Sequence, residues 1–248
     1  MMNLYLVMAM KRSGHHAFCN WLGDNMEGAM HINNAVDGWE DKQFLCPEHS
    51  GGSVTKFGTG EDNLIISVED FDVGDWERFG FENFDVFKKS KKIYPVLFVR
   101  DFRNWLASSI QRKHGDYGRD VCDYLDTTYL NDRKEVKDGR VSLWAKQMAE
   151  FETPTIDGCN LVSYNKWLTD KVYRDRLSSN LCIGKNEESM SVVSVNGHGS
   201  SFDGYEFKNK ALDMGVLRRY EKLEGDEDYV CLVEKYSSLV ETSRRFLE

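Results

Sequence analysis

Leu4-Tyr5-Leu6-Val7-Met8-Ala9-Met10 is an unbroken apolar run that passes directly into Lys11-Arg12-Ser13-Gly14. A run this short and this apolar predicts a strand buried on both faces of a parallel sheet. From Ala17 the period changes: Ala17, Phe18, Trp21, Leu22 and Met26 share one face, which predicts a helix over 14–26. A buried strand feeding a helix through a basic turn confines the chain to the α/β class. The same turn is how a chain builds an anion site. First-turn N–H groups lack intrahelical acceptors, the helix dipole favours negative charge, and Arg12 adds a fixed cation. An ordinary strand-turn-helix with a cationic turn has the same pattern, so features elsewhere in the chain must decide.

At 248 residues the chain has the length of one large α/β domain, and residues 1–248 are read as a single unit. Its formal charge of −9 argues against nucleic-acid and anionic-membrane partners, so any anion site must be a local basic pocket. Cys19, Cys46, Cys122, Cys159, Cys182 and Cys231 are scattered, with no C-x-x-C spacing and no clustering with histidine. They read as reduced thiols, and no metal site is expected from them. The N-terminal apolar run is too short for a signal peptide, and basic residues follow it instead of preceding it. With no stretch of membrane-spanning length, the expectation is a soluble, cytoplasmic protein.

Further along, His31–Asn34 is a candidate short strand. Residues 35–62 are glycine-rich and aperiodic, either a binding loop or a surface insertion. Leu64–Val68 predicts a buried strand ending at Glu69-Asp70-Phe71-Asp72, and residues 75–90 predict a helix closing in a solvated lysine cluster. Ile93–Val99 predicts another strand, with Pro95 near its start. Arg100 ends it, Asp101 is a plausible N-cap, and Phe102, Leu106 and Ile110 form a helical stripe. A short helix is expected near 121–128, another over 141–151, a strand ending at Tyr164 and a helix over 166–178. Residues 212–223 and 229–246 are expected as two amphipathic helices, with Arg218, Arg219, Arg244 and Arg245 on solvated faces.

The basic turn does not match the Walker loop G-x-x-x-x-G-K-[ST] of nucleotide triphosphatases. Arg12-Ser13-Gly14-His15-His16 instead resembles the 5′-phosphosulfate loop of sulfotransferases, [KR]-x-G-[TS]-[TS]. Val99-Arg100-Asp101-Phe102-Arg103 through Ser108 resembles that family's 3′-phosphate motif, strand-R-D-P-R-x-x-x-x-S, with Phe102 in place of the proline. Asn160–Asp170 resembles its strand-Y-E-x-L-x-x-D segment. The resemblance implies a three-layer sandwich with a central, mainly parallel sheet, P-loop NTPase-like in fold. It also implies transfer of a sulfuryl group from 3′-phosphoadenosine 5′-phosphosulfate to a hydroxyl or amine, leaving 3′,5′-adenosine bisphosphate.

By that resemblance Arg12, Ser13, Gly14, His15, His16 and Ala17 surround the 5′-phosphate. Arg100 and Ser108 hold the 3′-phosphate, and Tyr164 meets the adenine. The family's closing R-K-G loop has no basic pair here; Gly199, Ser200 and Ser201, beside His198, stand in that region. Arg12 is the electrostatic catalyst facing the leaving oxygen. Glu69 is the candidate general base, with Asp70 and Asp72 as rivals. His15 and His16 replace two hydroxyl residues; His16 either serves in proton transfer or packs under the helix. The expected partner is a hydrophilic acceptor, a small molecule or glycan. A nucleotide kinase, or a non-catalytic binder of adenosine bisphosphate, is the competing expectation.

Overall fold

The computed structural model describes residues 2–33, 54–59, 62–76, 85–116, 125, 129–131, 134–136, 139–193, 202–203 and 206–247. In chain order the elements are β1 (Asn3–Ala9), α1 (His15–Asp24), β2 (Ala29–Ile32), β3 (Val54–Phe57), β4 (Asn63–Glu69), α2 (Asp85–Lys89), β5 (Lys92–Val99) and α3 (Phe102–Asp116). A small hairpin of β6 (Tyr129–Asn131) and β7 (Lys134–Val136) follows. Then come α4 (Arg140–Glu152), β8 (Asn160–Ser163), α5 (Tyr164–Thr169), α6 (Lys171–Leu181), α7 (Glu227–Lys235) and α8 (Ser237–Leu247).

Six strands form one sheet in the order β3-β2-β4-β1-β5-β8. Every pairing is parallel except β3 against β2. The unbroken apolar character of the first run is explained by its position. β1 lies between β4 and β5, and both its faces are covered. Leu4, Leu6 and Met8 pack with Phe102, Trp105 and Leu106 of α3, Leu143 and Trp144 of α4, and residues of α2, α7 and α8. Tyr5, Val7 and Ala9 point the other way, into Phe18, Trp21 and Leu22 of α1 and Trp167, Leu177 and Leu181 of α5 and α6. Each such side chain, fully removed from water, contributes about 1.5–3 kcal/mol. The two layers of helices are therefore set by the alternation within β1 alone.

Several expected elements differ. The short second strand spans Ala29–Ile32, and the aperiodic 35–62 stretch contains β3, held as an antiparallel edge to β2. The expected 166–178 helix is two helices broken at Asp170. Its carboxylate accepts from the Tyr173 backbone N–H at 3.1 Å and caps a fresh N-terminus. The 212–223 helix is replaced by two short 3-10 turns, Ala211–Asp213 and Arg219–Leu223, and 229–246 is divided between α7 and α8. At 75–90 the structure describes the last residue of a 3-10 turn, Val73–Asp75, and α2. The expected helix near 121–128 lies outside the described residues apart from Leu125. Cys19, Cys159, Cys182 and Cys231 are free thiols. Among the described residues no helix is long and apolar enough to cross a membrane.

Gly23 locks the edge strand onto α1. A Cβ built there would collide with the Phe57 ring, so the helix approaches β3 only because position 23 has no side chain. Gly23→Ala is expected to destabilise the fold by about 1–3 kcal/mol, as overpacking does. Gly23→Ala combined with Phe57→Leu should recover part of that loss, read as thermal midpoints of the two variants.

Candidate active site

β1 feeds α1 on one face of the sheet and leads toward β2, whereas the adjacent β5 feeds α3 on the opposite face and leads toward β8. The chain leaves two neighbouring strands in opposite directions, which opens a crevice outside their carboxyl ends. Arg12 and Arg100 follow those two strands, so the topology brings the two cationic turns of the sequence to one place.

The turn after β1 is tightly held. Ser13 N–H donates to the Met10 carbonyl at 3.2 Å, Lys11 N–H to Asp70 Oδ1 at 2.9 Å, and the Trp105 indole N–H to the Lys11 carbonyl at 2.9 Å. Arg12 has a left-handed backbone with φ of +69°, and Gly14, the N-cap of α1, has φ of +88°. Gly14 offers no side-chain cap to the first-turn N–H groups, which are the backbone donors this turn has for an anion. Ala17 does not join them, because its N–H is spent on the Gly14 carbonyl at 3.1 Å.

Arg100 is 2% exposed. Its Nη1 donates to Ser108 Oγ at 3.1 Å and to the Arg12 carbonyl at 3.3 Å, and its Nη2 donates to the Val216 carbonyl. The expected Arg100–Ser108 pair is thus formed and is tied directly to the first turn. Asp101 caps α3 as expected, accepting from Asn104 N–H at 2.9 Å. Phe102 has an N–H that a proline would lack, and Ser243 Oγ of α8 accepts it at 2.8 Å. The departure from the proline pattern is satisfied from the other end of the chain.

Tyr164 joins the two turns. Its ring lies 4.9 Å from the Arg100 guanidinium, and a Cβ on Gly14 would sit 2.7 Å from Tyr164 Cε2. Gly14 is therefore demanded twice, by its backbone angle and by the ring against it. Tyr164 opens α5 and is buried, also meeting Phe98 edge to face.

Gly199, Ser200 and Ser201 lie outside the described residues. The cation described on that side is Arg219, which the sequence placed on a solvated helix face. It is 7% exposed, its Nη2 lies 3.5 Å from Asp203 Oδ2, and its guanidinium packs on Phe202. Burial, and then the charge of Arg100, push its pKa down to about 10. Its local turn is 3-10, so helical periodicity could not reveal the burial; the signal available was an Arg-Arg doublet downstream of the missing R-K pair.

The second cluster sits at the end of β4. Glu69 Oε1 is 3.4 Å from His15 Nε2 and 3.6 Å from His16 Nε2, and Oε2 is 4.0 Å from Lys11 Nζ. Burial dominates and raises the Glu69 pKa to about 7, with Asp70 adding to it and Lys11 and Arg12 opposing. The rivals are committed elsewhere. Asp70 holds Lys11 N–H and sits 3.3 Å from Arg140 Nε, while Asp72 caps a turn and pairs with Lys146 at 2.6 Å. It is His15, not His16, that packs beneath the helix: His15 is 2% exposed and held neutral by burial. His16 Nε2 lies 2.8 Å from Asn33 Oδ1 at the crevice edge.

Among the described residues, His15, His16 and Glu69 are the group whose donor atoms converge, all within 4.8 Å of one another. A divalent cation there would sit beside Lys11 and Arg12 at a helix N-terminus, each of which opposes it. The charge distribution suits an anion better. No protein-family model matches this chain, and a search of curated proteins finds no relative.

Behind the cluster, His31 on β2 is fully buried, with a pKa lowered to about 3 by burial first and His16 second. The unfolded chain then binds a proton near pH 6.5 that the folded chain refuses until about 3, so stability falls as pH drops through that window. Glu69 acts oppositely between about 4.5 and 7, while His15, whose pKa burial also lowers, acts in the same sense as His31. Below pH 4.5 Glu69 is protonated in both states and its opposition ends, so each buried histidine contributes up to about 1.4 kcal/mol per pH unit. His31→Gln should remove one proton's share of that slope, up to about 1.4 kcal/mol per pH unit, in denaturant titrations at pH 3.5 to 4.5.

Proposed function

We propose that this chain transfers a sulfuryl group from 3′-phosphoadenosine 5′-phosphosulfate to a hydroxyl or amine of a hydrophilic acceptor, a small molecule or glycan, on a P-loop NTPase-like sandwich. The observation that carries the proposal is the direct bond from Arg100 to both Ser108 and the Arg12 turn, with Tyr164 wedged between the turns. Two anion cradles at the ends of adjacent strands, bridged by an aromatic ring, suit a nucleotide with phosphates at two positions of one ribose. The cradle at Arg100 suits a 3′-phosphate through guanidinium and hydroxyl donors, and Arg219 adds a cation where the basic pair is missing. The cradle at Arg12, Ser13, Gly14, His15 and His16 suits the 5′-phosphate through first-turn N–H groups.

In this reading the acceptor oxygen attacks sulfur as the bond from sulfur to the 5′-phosphate oxygen breaks. The acceptor's proton passes to Glu69, and the charge released on the 5′-phosphate is met by Arg12 and the α1 N-terminus. Glu69 is suited to the role because its carboxylate is half ionised near neutrality and lies beside, not inside, the phosphate turn.

Saturating 3′,5′-adenosine bisphosphate, at about 100 times its Kd, should stabilise the protein by about 2.7 kcal/mol, a rise of several degrees in thermal midpoint. Arg100→Met and Ser108→Ala should weaken that shift. A larger shift with ATP would favour a kinase instead. With labelled donor and a panel of hydroxylated acceptors, Glu69→Gln should lower turnover at least about a hundredfold while leaving bisphosphate affinity nearly intact. Undiminished turnover in that variant would remove Glu69 from the mechanism, and bisphosphate binding without transfer to any acceptor would favour a non-catalytic binder.

A further inference from the structure

Asn33, Ser67, His31 and His16 form a partly buried chain whose hydrogen positions follow from its members' chemistry once the Asn33 amide is oriented with Oδ1 toward Ser67 and His16. Ser67 Oγ donates to Asn33 Oδ1 at 3.0 Å. An amide oxygen only accepts, so His16 Nε2, 2.8 Å from that same oxygen, must carry its proton there. Ser67 has one proton and has given it to Asn33. Its contact with His31 Nε2 at 2.9 Å therefore requires the imidazole to be the donor. That leaves His31 Nδ1 as a bare lone pair, and His31 Nδ1 is among the buried atoms that have no hydrogen-bond partner among the described residues. The opposite tautomer would bury an orphaned N–H, which is the costlier arrangement. Two independent ends of the chain thus agree on one set of proton positions.

We propose that Asn33, backed by Ser67 and His31, is a positioning residue that holds His16 as its Nε2–H tautomer and makes Nδ1 the nitrogen that takes a proton. Of the groups of His16, only the backbone N–H is then assigned to the 5′-phosphate, and the acceptor's proton stays with Glu69. The His16 Nε2–H is engaged by Asn33 and lies on the Glu69 side, 3.6 Å from Oε1, so the ring has no proton to offer a phosphate from Nδ1. The assignment to a 5′-phosphate rests on the sulfotransferase reading; the tautomer does not.

The test uses the full chain labelled with 15N-histidine at pH 7.5, with two-bond proton–nitrogen correlation spectra assigned through His16→Gln and His31→Gln. His16 and His31 are each expected to show a protonated Nε2 and a bare Nδ1. Asn33→Asp should preserve the His16 pattern, whereas Asn33→Leu should convert it to a tautomer mixture. Asn33→Leu should also change affinity for 3′,5′-adenosine bisphosphate by less than about fivefold, since the side chain makes no phosphate bond. An Nδ1–H pattern for His16 in the wild type would overturn the proposal, as would an unchanged Asn33→Leu spectrum or an affinity loss beyond that limit. Should Asn33→Leu fail to fold, the wild-type and Asn33→Asp spectra decide. If the wild type binds no bisphosphate, the sulfotransferase reading falls, and the tautomer still stands or falls by the spectrum.

Discussion

The buried guanidinium of Arg100 is the junction on which the crevice depends. A cation at 2% exposure needs acceptors, and those of its two Nη groups come from three distant stretches: Ser108 on α3, the Arg12 carbonyl and the Val216 carbonyl, while its Nε stays without a partner among the described residues. Meeting that requirement draws the first turn, the helix after β5 and the C-terminal segment together. The Trp144 indole N–H, donating to the Arg100 carbonyl at 3.1 Å, adds α4 to the same point. Loss of the arginine would therefore loosen the architecture around the pocket as well as the pocket's charge.

The chain as a whole is acidic, at −9, yet Lys11, Arg12, Arg100, Arg140 and Arg219 are gathered at one end of the sheet. Three acidic partners divide that charge. Asp70 takes Arg140 and the Lys11 backbone, Asp203 takes Arg219, and Glu69 is left facing the rings of His15 and His16, with the Lys11 ammonium 4.0 Å away. The separation matters because a carboxylate fully neutralised by an arginine makes a poor proton acceptor. Glu69 gains basicity from being buried without a close guanidinium.

Much of the layout was legible in the residues. Continuous apolar runs revealed β1, β4 and β5, since strands covered on both faces need no polar alternation, and their basic or acidic terminators marked the sheet edge that carries the cluster. Arg100 and Ser108 meet because α3 starts two residues after Arg100 and carries Ser108 up its second turn. Other features were illegible for identifiable reasons. Asp170 breaks a periodic helix by capping, Arg219 sits in a 3-10 turn without an amphipathic period, and β3 is a half-exposed edge strand with weak alternation. Asn33, Ser67 and His31 carry no motif at all; only the pairing of β2 with β4 sets them side by side.

Two residues beside this crevice, Arg12 and Asp70, hold left-handed backbones that glycine would adopt more easily. They follow neighbouring strands whose ends are stitched together by the Lys11 N–H on Asp70 and by Asp70 N–H on the Ala9 carbonyl at 2.9 Å. Left-handed conformations cost side-chain-bearing residues roughly 1–2 kcal/mol each, against a total stability of about 5–15 for a typical domain. A lineage under pressure for thermal robustness alone would drift toward glycine at both positions. Their present identities record a standing trade in which charge at the strand ends outweighs the ease of the turn.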